Sequence, residues 1–340
     1  MSEIRATRKV QLTGGSTYIV SLPKEWVKYF GLKTGDEVEI STDGYMRLII
    51  EPKGRGVAER KVVPEIECSK SSIGMIVRDV ISYYVAGADG VTIRSHCMSS
   101  EERESIKGEV RSRLLGAEVI DESSESLTFN FIVSYKDLGI KTAISRAYSI
   151  SLNMLKDDMN AISQRKPEVA LDVKFRDDEV DRFYFYVVRL LSQGVVTLEL
   201  LKQDGFNVTQ AINLYNIIRS VERISDHATR ISSYINDLLV DEIPKSLVDF
   251  GYFAVSIYSD AMSSFFNYKK EVAEKVIEAS SNVRETYSSV LATLAERTMR
   301  PKAFIAASLT LDSFMRISRY AMDVAESVVD LLAKQSVSQI

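Results

Sequence analysis

The back half of this chain repeats itself, and that self-similarity restricts the fold more than any other feature of the 340 residues. From Asp137 onward strand signals vanish. Six segments follow with apolar residues at the helical period, at about 138–163, 174–203, 209–239, 245–268, 270–298 and 302–334. Breaks fall at Lys166-Pro167, Asp204-Gly205, Pro244, the polar corner Tyr268-Lys269-Lys270, and Pro301. Glu222 to Ser232 reads ERISDHATRIS and Met315 to Ala325 reads MRISRYAMDVA, sharing Arg-Ile-Ser and an alanine at the same offsets. Upstream, DDEVDRFY at Asp177 to Tyr184 aligns with SSNVRETY at Ser280 to Tyr287. Long amphipathic helices joined by short turns pack as antiparallel bundles, so residues 138–336 read as two three-helix units, 138–240 and 244–336.

The front of the chain follows other rules. In residues 1–54, Val10 and Leu12 alternate with polar neighbours, Gly14-Gly15 breaks the chain, and Thr17 to Leu22 is rich in strand formers. Pro23 suits a first helical position, Trp26, Val27 and Phe30 give that short helix an apolar side, and Gly31 stops it. Val38 and Ile40 are expected to pair with Leu48 and Ile50 across an Asp43-Gly44 hairpin turn. Gly54-Arg55-Gly56 reads as a linker into residues 57–136, a small α/β region. There Lys61 to Ile66 reads as a strand, Ser71 to Ala86 as a helix, Gly90 to Arg94 as a strand, and the stretch from Ser99-Ser100 to Gly116 as a second helix. Val119-Ile120 and Leu127 to Val133 complete its sheet. A small effector site and a plain spacer are equally compatible with that region. The fold class is therefore multidomain α+β: a β-rich head, a small α/β middle, and an all-α body.

Charge separates the head from the rest. Residues 1–35 hold six basic side chains (Arg5, Arg8, Lys9, Lys24, Lys28, Lys33) against Glu3 and Glu25, whereas the whole chain carries −4. A cationic head suits a polyanion, although a mixed solvated surface gives a similar asymmetry. No stretch approaches the roughly 18 apolar residues of a spanning helix, and the start lacks a signal-peptide core, so a cytoplasmic location without membrane insertion is expected. Cys68 and Cys97 lack paired metal or redox spacing, and His96 beside Cys97 reads as a loop residue. No phosphate-cradling loop or Ser-His-Asp set is present, and the chain reads as non-enzymatic.

The acid positions of the body carry chemistry of their own. Asp177 and Asp181, and likewise Glu222 and Asp226, are four residues apart, so each pair projects from one helix face. Two such helices face to face gather four carboxylates, which repel one another unless a cation lies between them. Oxygen ligands of this kind suit iron, magnesium or zinc. The same spacing is also ordinary solvent-facing decoration. His227 stands about 100° around the helix from Asp226, at the edge of such a cluster. The second repeat has Ser280 and Arg284, then Met315 and Arg319, at the matching positions, which leaves at most one metal centre per chain. Arg284 and Arg319 read as partners of acids such as Glu285 or Asp323, or as a small anion site that could hold phosphate.

Two resemblances add to this reading. The head, from its first strand through LPKEW and GLKTGDEVEI to the final hairpin, resembles the SpoVT/AbrB family. That resemblance implies a swapped-hairpin homodimer whose basic residues contact double-stranded DNA. By position Arg8 and Lys9 on the first strand, Lys24 and Lys28 on the helix, and Arg5 fall in those roles. Gly15-Ser16-Thr17 stands where an arginine is common in bacterial members, which removes a guanine-reading fork while leaving phosphate contacts. A dimer clamp without DNA binding is the alternative. The body, through ERISDHATRI and the duplicated acid pairs, resembles the phosphate-signalling PhoU family over roughly residues 140–335. That implies sensing of phosphate status, with the ATPase of a phosphate ABC transporter as a partner. The pairing of both parts resembles archaeal phosphate-uptake regulators.

Overall fold

The computed structural model describes residues 4–42, 46–53, 61–68, 72–94, 98–133, 138–196 and 199–337, in two compact units, residues 1–61 and 62–340. In the first unit β1 (Gln11–Thr13) and β2 (Thr17–Ile19) form an antiparallel hairpin, Gln11 opposite Ile19. Its turn uses Gly14 and Gly15 at φ of 60° and 80°, a region that side chains with a Cβ rarely adopt. The helix α1 (Lys24–Tyr29) begins one residue later than expected, because Pro23, at ψ 131°, is still extended and serves as the cap. The strands β3 (Val38–Thr42) and β4 (Leu48–Pro52) pair antiparallel with Ile40 opposite Ile50. The expected Asp43-Gly44 turn and Gly54-Arg55-Gly56 linker lie outside the described residues. None of the described residues from 4 to 53 is buried.

The second unit opens with a four-stranded sheet in the order β5-β6-β8-β7, parallel between β5 and β6 and antiparallel elsewhere. It consists of β5 (Glu65–Glu67), α2 (Ile73–Val85), β6 (Gly90–Arg94), α3 (Ser100–Arg113), β7 (Ala117–Glu122) and β8 (Ser126–Phe131). The expected strand at Lys61 to Ile66 shrinks to β5, since Pro64 has no N–H to give a ladder. Ser99 and Glu102 cap each other's backbone N–H groups and so fix the start of α3. Val91, Ile93, Leu127 and Phe129 meet Val80, Tyr84, Ile106 and Val110 in one buried apolar cluster. His96 and Cys97 lie outside the described residues.

The helical body comprises α4 (Ile140–Gln164), a 3-10 turn at Pro167–Ala170, α5 (Val173–Val196), α6 (Glu199–Gln203), α7 (Ala211–Leu238), α8 (Lys245–Asn267), α9 (Lys270–Ser281), α10 (Val283–Ala295) and α11 (Pro301–Val337). One expected helix is divided. The segment at 174–203 is helical at Val173–Val196 and at Glu199–Gln203, with residues 197 and 198 outside the described ones, whereas that at 270–298 bends at Asn282. Ser280, Ser281 and Asn282 favour local side-chain bonds over helix continuation, and the Ser281 hydroxyl indeed donates to the Glu278 carbonyl at 2.7 Å. Along α7, Leu214, Ile217, Ile218, Val221, Ile224, Ala228 and Ile231 are sealed at helical spacing, each large side chain contributing about 1.5–3 kcal/mol. The last helix, α11, packs on both α7 and α8 and thereby joins the repeats.

The α/β region rests on α5. Arg189 of α5, 5% exposed, donates from Nη1 to the carbonyls of Tyr84 (2.6 Å) and Ala88 (2.7 Å), and its guanidinium lies 4.9 Å from the centre of the Tyr84 ring. It thus gives the Tyr84 carbonyl, which also accepts from the Gly87 N–H at 3.0 Å, a second hydrogen bond and supplies one to Ala88 just past the end of α2.

Candidate functional site

The helices α5 and α7 run side by side, and their shared seam collects the acids singled out by the spacing. On α5 the residues are Asp177, Asp181 and, one turn on, Tyr184; on α7 they are Tyr215, Arg219, Glu222 and Asp226, again at helical spacing. The Ser225 hydroxyl donates to Asp177 Oδ1 at 2.5 Å. Burial raises the Asp177 carboxyl above its ordinary value, with the Ser225 hydrogen bond acting against the rise. Burial, then the charges of Asp177 and Asp226, push Asp181 up to about 7. Burial, then Asp226 and Asp181, push Glu222 up to about 7. Burial, then Asp177, pushes Asp226, at the solvent edge, up to about 6. The four carboxylates therefore feel one another across the seam, which is the like-charge strain that a cation relieves.

Cations already flank the seam. Arg113, at the end of α3, acts on Asp181, while Arg219 and Arg223 act on Glu222. Arg219 Nη1 donates to Tyr215 Oη at 2.5 Å. These arginines and the two phenols were not singled out in the sequence, although 177, 181, 184 and 215, 219, 222, 226 continue the helical spacing of the acids. Among the described residues no three His, Cys, Asp or Glu side chains stand in a metal-holding group. The donor set is oxygen-rich and fits a hard cation. His227 does not belong to it: its ring faces α11, with a centroid 5.9 Å from that of Tyr320. Burial, then Arg230, holds this imidazole down at about 4, so it is neutral.

Beside Asp226 a cavity of about 470 Å³ opens between the 3-10 turn, the start of α5, and α7, and Lys174, Arg230, Ser232 and Asn236 line it. The matching seam of the second repeat differs. Ser280 is buried, Arg284 is exposed on α10, and Arg319 is exposed on α11. Burial raises the Asp323 carboxyl, against the pull of Arg223 and Arg319.

In the head Arg5, Arg8, Lys9, Lys24 and Lys28 are all exposed. Lys24 and Lys28 are one turn apart on α1, and the Arg8 guanidinium donates to the Thr7 carbonyl at 3.0 Å. Around them Val10 (64%), Tyr18 (74%), Ile40 (59%) and Leu48 (69%) are open to solvent. With no buried residue among those described, this unit has no core of its own.

Comparison with known proteins places both parts. The family model described as "Antidote-toxin recognition MazE, bacterial antitoxin" matches residues 11–57, and the PhoU domain model matches residues 144–235 and 247–328. A "Phosphate-specific transport system accessory protein PhoU homolog" of Rhizobium meliloti is 29% identical over 108 residues, 31% of this chain and 43% of that protein. A homolog of the same description from Zymomonas mobilis is 33% identical over 82 residues, 24% of this chain and 32% of that one. The crystal structure of PhoU from Pseudomonas aeruginosa superposes with a TM-score of 0.50 at 19% identity, covering 57% of this chain and 96% of that structure. The fold of the helical body is thus shared, while the chain spans less than half the length of the two relatives matched by sequence.

Proposed function

Because this chain belongs to the PhoU family, we propose that it is a phosphate-responsive regulator whose helical body receives the signal and whose head binds double-stranded DNA as a homodimer. The observation that carries the reading is the head: five exposed basic side chains on a unit without a buried residue, matched by a MazE antitoxin model and attached to a duplicated PhoU domain. A second copy supplies the missing core, and the cations then meet phosphates from both copies. Gel-shift titration of the full chain on mixed-sequence duplex tests it. Binding is expected to fall steeply between 50 and 200 mM salt, on the order of 10³-fold if six or more phosphates are contacted. Lys24→Ala with Lys28→Ala is expected to weaken it uniformly across sequences. Affinity independent of salt and of these lysines contradicts the reading.

The body supports the signalling half. One oxygen-ligated divalent cation, iron, magnesium or zinc, held by Asp177, Asp181, Glu222 and Asp226, relieves the carboxylate repulsion described above. The Lys174 and Arg230 cavity beside Asp226 provides room for an anion at its edge, which makes it a better phosphate candidate than Arg284 with Arg319. The protein acts by binding and not by catalysis, in the cytoplasm.

A second reading is favoured by the description of the relatives as accessory proteins of phosphate-specific transport. In it the body controls the ATPase of a phosphate ABC transporter directly, and the head is only a dimer clamp. Pull-down of that ATPase by a head-deleted chain starting near residue 62 separates the two. Loss of salt-sensitive DNA binding on head deletion supports the regulator, and ATPase capture retained by a headless chain that has become monomeric, with no DNA binding by the full chain, supports the accessory protein.

A further inference from the structure

The second repeat holds a trough between α8 and α10. In the first repeat α4 packs closely on α5, and Arg176 of α5 clamps the pair by donating to Asp157 of α4 at 2.7 Å. In the second repeat α8 and α10, the counterparts of α4 and α5, make little contact, and a cavity of about 650 Å³ lies between them. Its floor is apolar: Phe250 and Phe253, stacked with centroids 6.2 Å apart, face Val283 and Val290. Each wall carries an exposed carboxylate, Asp249 on α8 and Glu285 on α10. Neither is in an ion pair among the described residues, and no Lys or Arg lines the trough. On the α8 wall the Ser246 hydroxyl has no hydrogen-bond partner.

From Ser246 to Phe253 and from Val283 to Val290 each wall runs for about 10 Å of helix, two turns. A helix laid along two such walls places apolar residues at i, i+3, i+4 and i+7 on the phenylalanine floor. Its flanks then meet a carboxylate on either side, which selects for lysine or arginine there and against acids. We propose that this trough docks one basic amphipathic helix of a partner protein. The opening of the α8–α10 interface is thus what the second repeat gains where the acid seam has been lost, and the site is independent of the head and of any bound metal.

The test uses the full chain and two synthetic helical peptides of about 18 residues. Both carry Leu and Phe at the four apolar positions, one with Lys on its flanks and the other with Glu. Binding is read by fluorescence anisotropy, with circular dichroism confirming that the charge variants stay folded. The Lys peptide is expected to bind and the Glu peptide not. Asp249→Lys with Glu285→Lys, both on exposed positions, is expected to weaken the Lys peptide about tenfold, the size of two rim ion pairs, and to let the Glu peptide bind. Equal affinity for the two peptides, or no effect of the double reversal, overturns the proposal. So does a change in the oligomeric state of the free protein on double reversal, which assigns the trough to a second copy. Saturable binding of phenethylamine with no binding of the Lys peptide also overturns it, because the trough is then a small-amine site.

Discussion

Between α5 and α7 the first repeat gathers four carboxylates, whereas the matching positions of the second repeat hold Ser280, Arg284, Met315 and Arg319. The scaffold is nonetheless kept, since Ile224 and Ile317 of the two Arg-Ile-Ser stretches are both fully buried, as are Ser225 and Ser318. Core positions answer to packing, which both copies need. Seam positions carry less of that packing, so one copy can change them while the scaffold stays. Duplication therefore left two equal bundles with unequal sites.

The largest expected effect tests the shared scaffold. Ile224→Ala and Ile317→Ala are each expected to cost about 2–5 kcal/mol in urea unfolding, and by similar amounts. A loss confined to one of them breaks the equivalence of the repeats. Next comes the join that only the first repeat carries: Arg189 holds the α/β region on α5, and Ala292 stands at the matching position of α10. Arg189→Met strands the Ala88 carbonyl and leaves Tyr84 only its Gly87 bond, with an expected loss of about 1–3 kcal/mol and faster hydrogen exchange at the end of α2.

The pH dependence separates the seams. With Asp181 and Glu222 near 7 and Asp226 near 6, the folded chain holds these protons more tightly than the unfolded chain, whose carboxyls titrate at about 4. The stability these groups contribute to the metal-free chain is therefore full below about pH 4 and is lost as pH rises toward 7. Asp158, fully buried on α4 with neither oxygen hydrogen-bonded, is raised by burial and adds to the same slope. Calorimetry in chelator is expected to show a melting temperature that drops from pH 5 to pH 7.5. Asp181→Asn with Glu222→Gln is expected to flatten that slope markedly. Arg284→Ala with Arg319→Ala is expected to leave it nearly unchanged, and a slope that follows the arginines instead reverses the comparison.

Much of this was legible in the residues because it rests on periodicity and offset. The helix ends at Pro244 and Pro301, the duplicated Arg-Ile-Ser and the four seam acids follow from spacing alone. What escaped depends on packing between distant segments. Nothing in the sequence near Arg189 points to carbonyls a hundred residues upstream, and Arg113 reaches Asp181 only because α3 settles on α5. His227 sits one residue from Asp226, yet the helix turn between them sends it to α11. Tyr184 was readable by extending the acid spacing one further turn, and Tyr215 by extending it two. The kink at Asn282 was signalled by the Ser-Ser-Asn run, which outweighs the apolar period around it.

Divergence of the two seams predicts an asymmetric cation stoichiometry, and isothermal titration of the chelator-stripped full chain with zinc or magnesium at pH 7.5 measures it most directly. The expected result is one site per chain, abolished by Glu222→Gln with Asp226→Asn and retained in Arg284→Ala with Arg319→Ala. Two equivalent sites, or a single site indifferent to Glu222 and Asp226, contradicts the assignment.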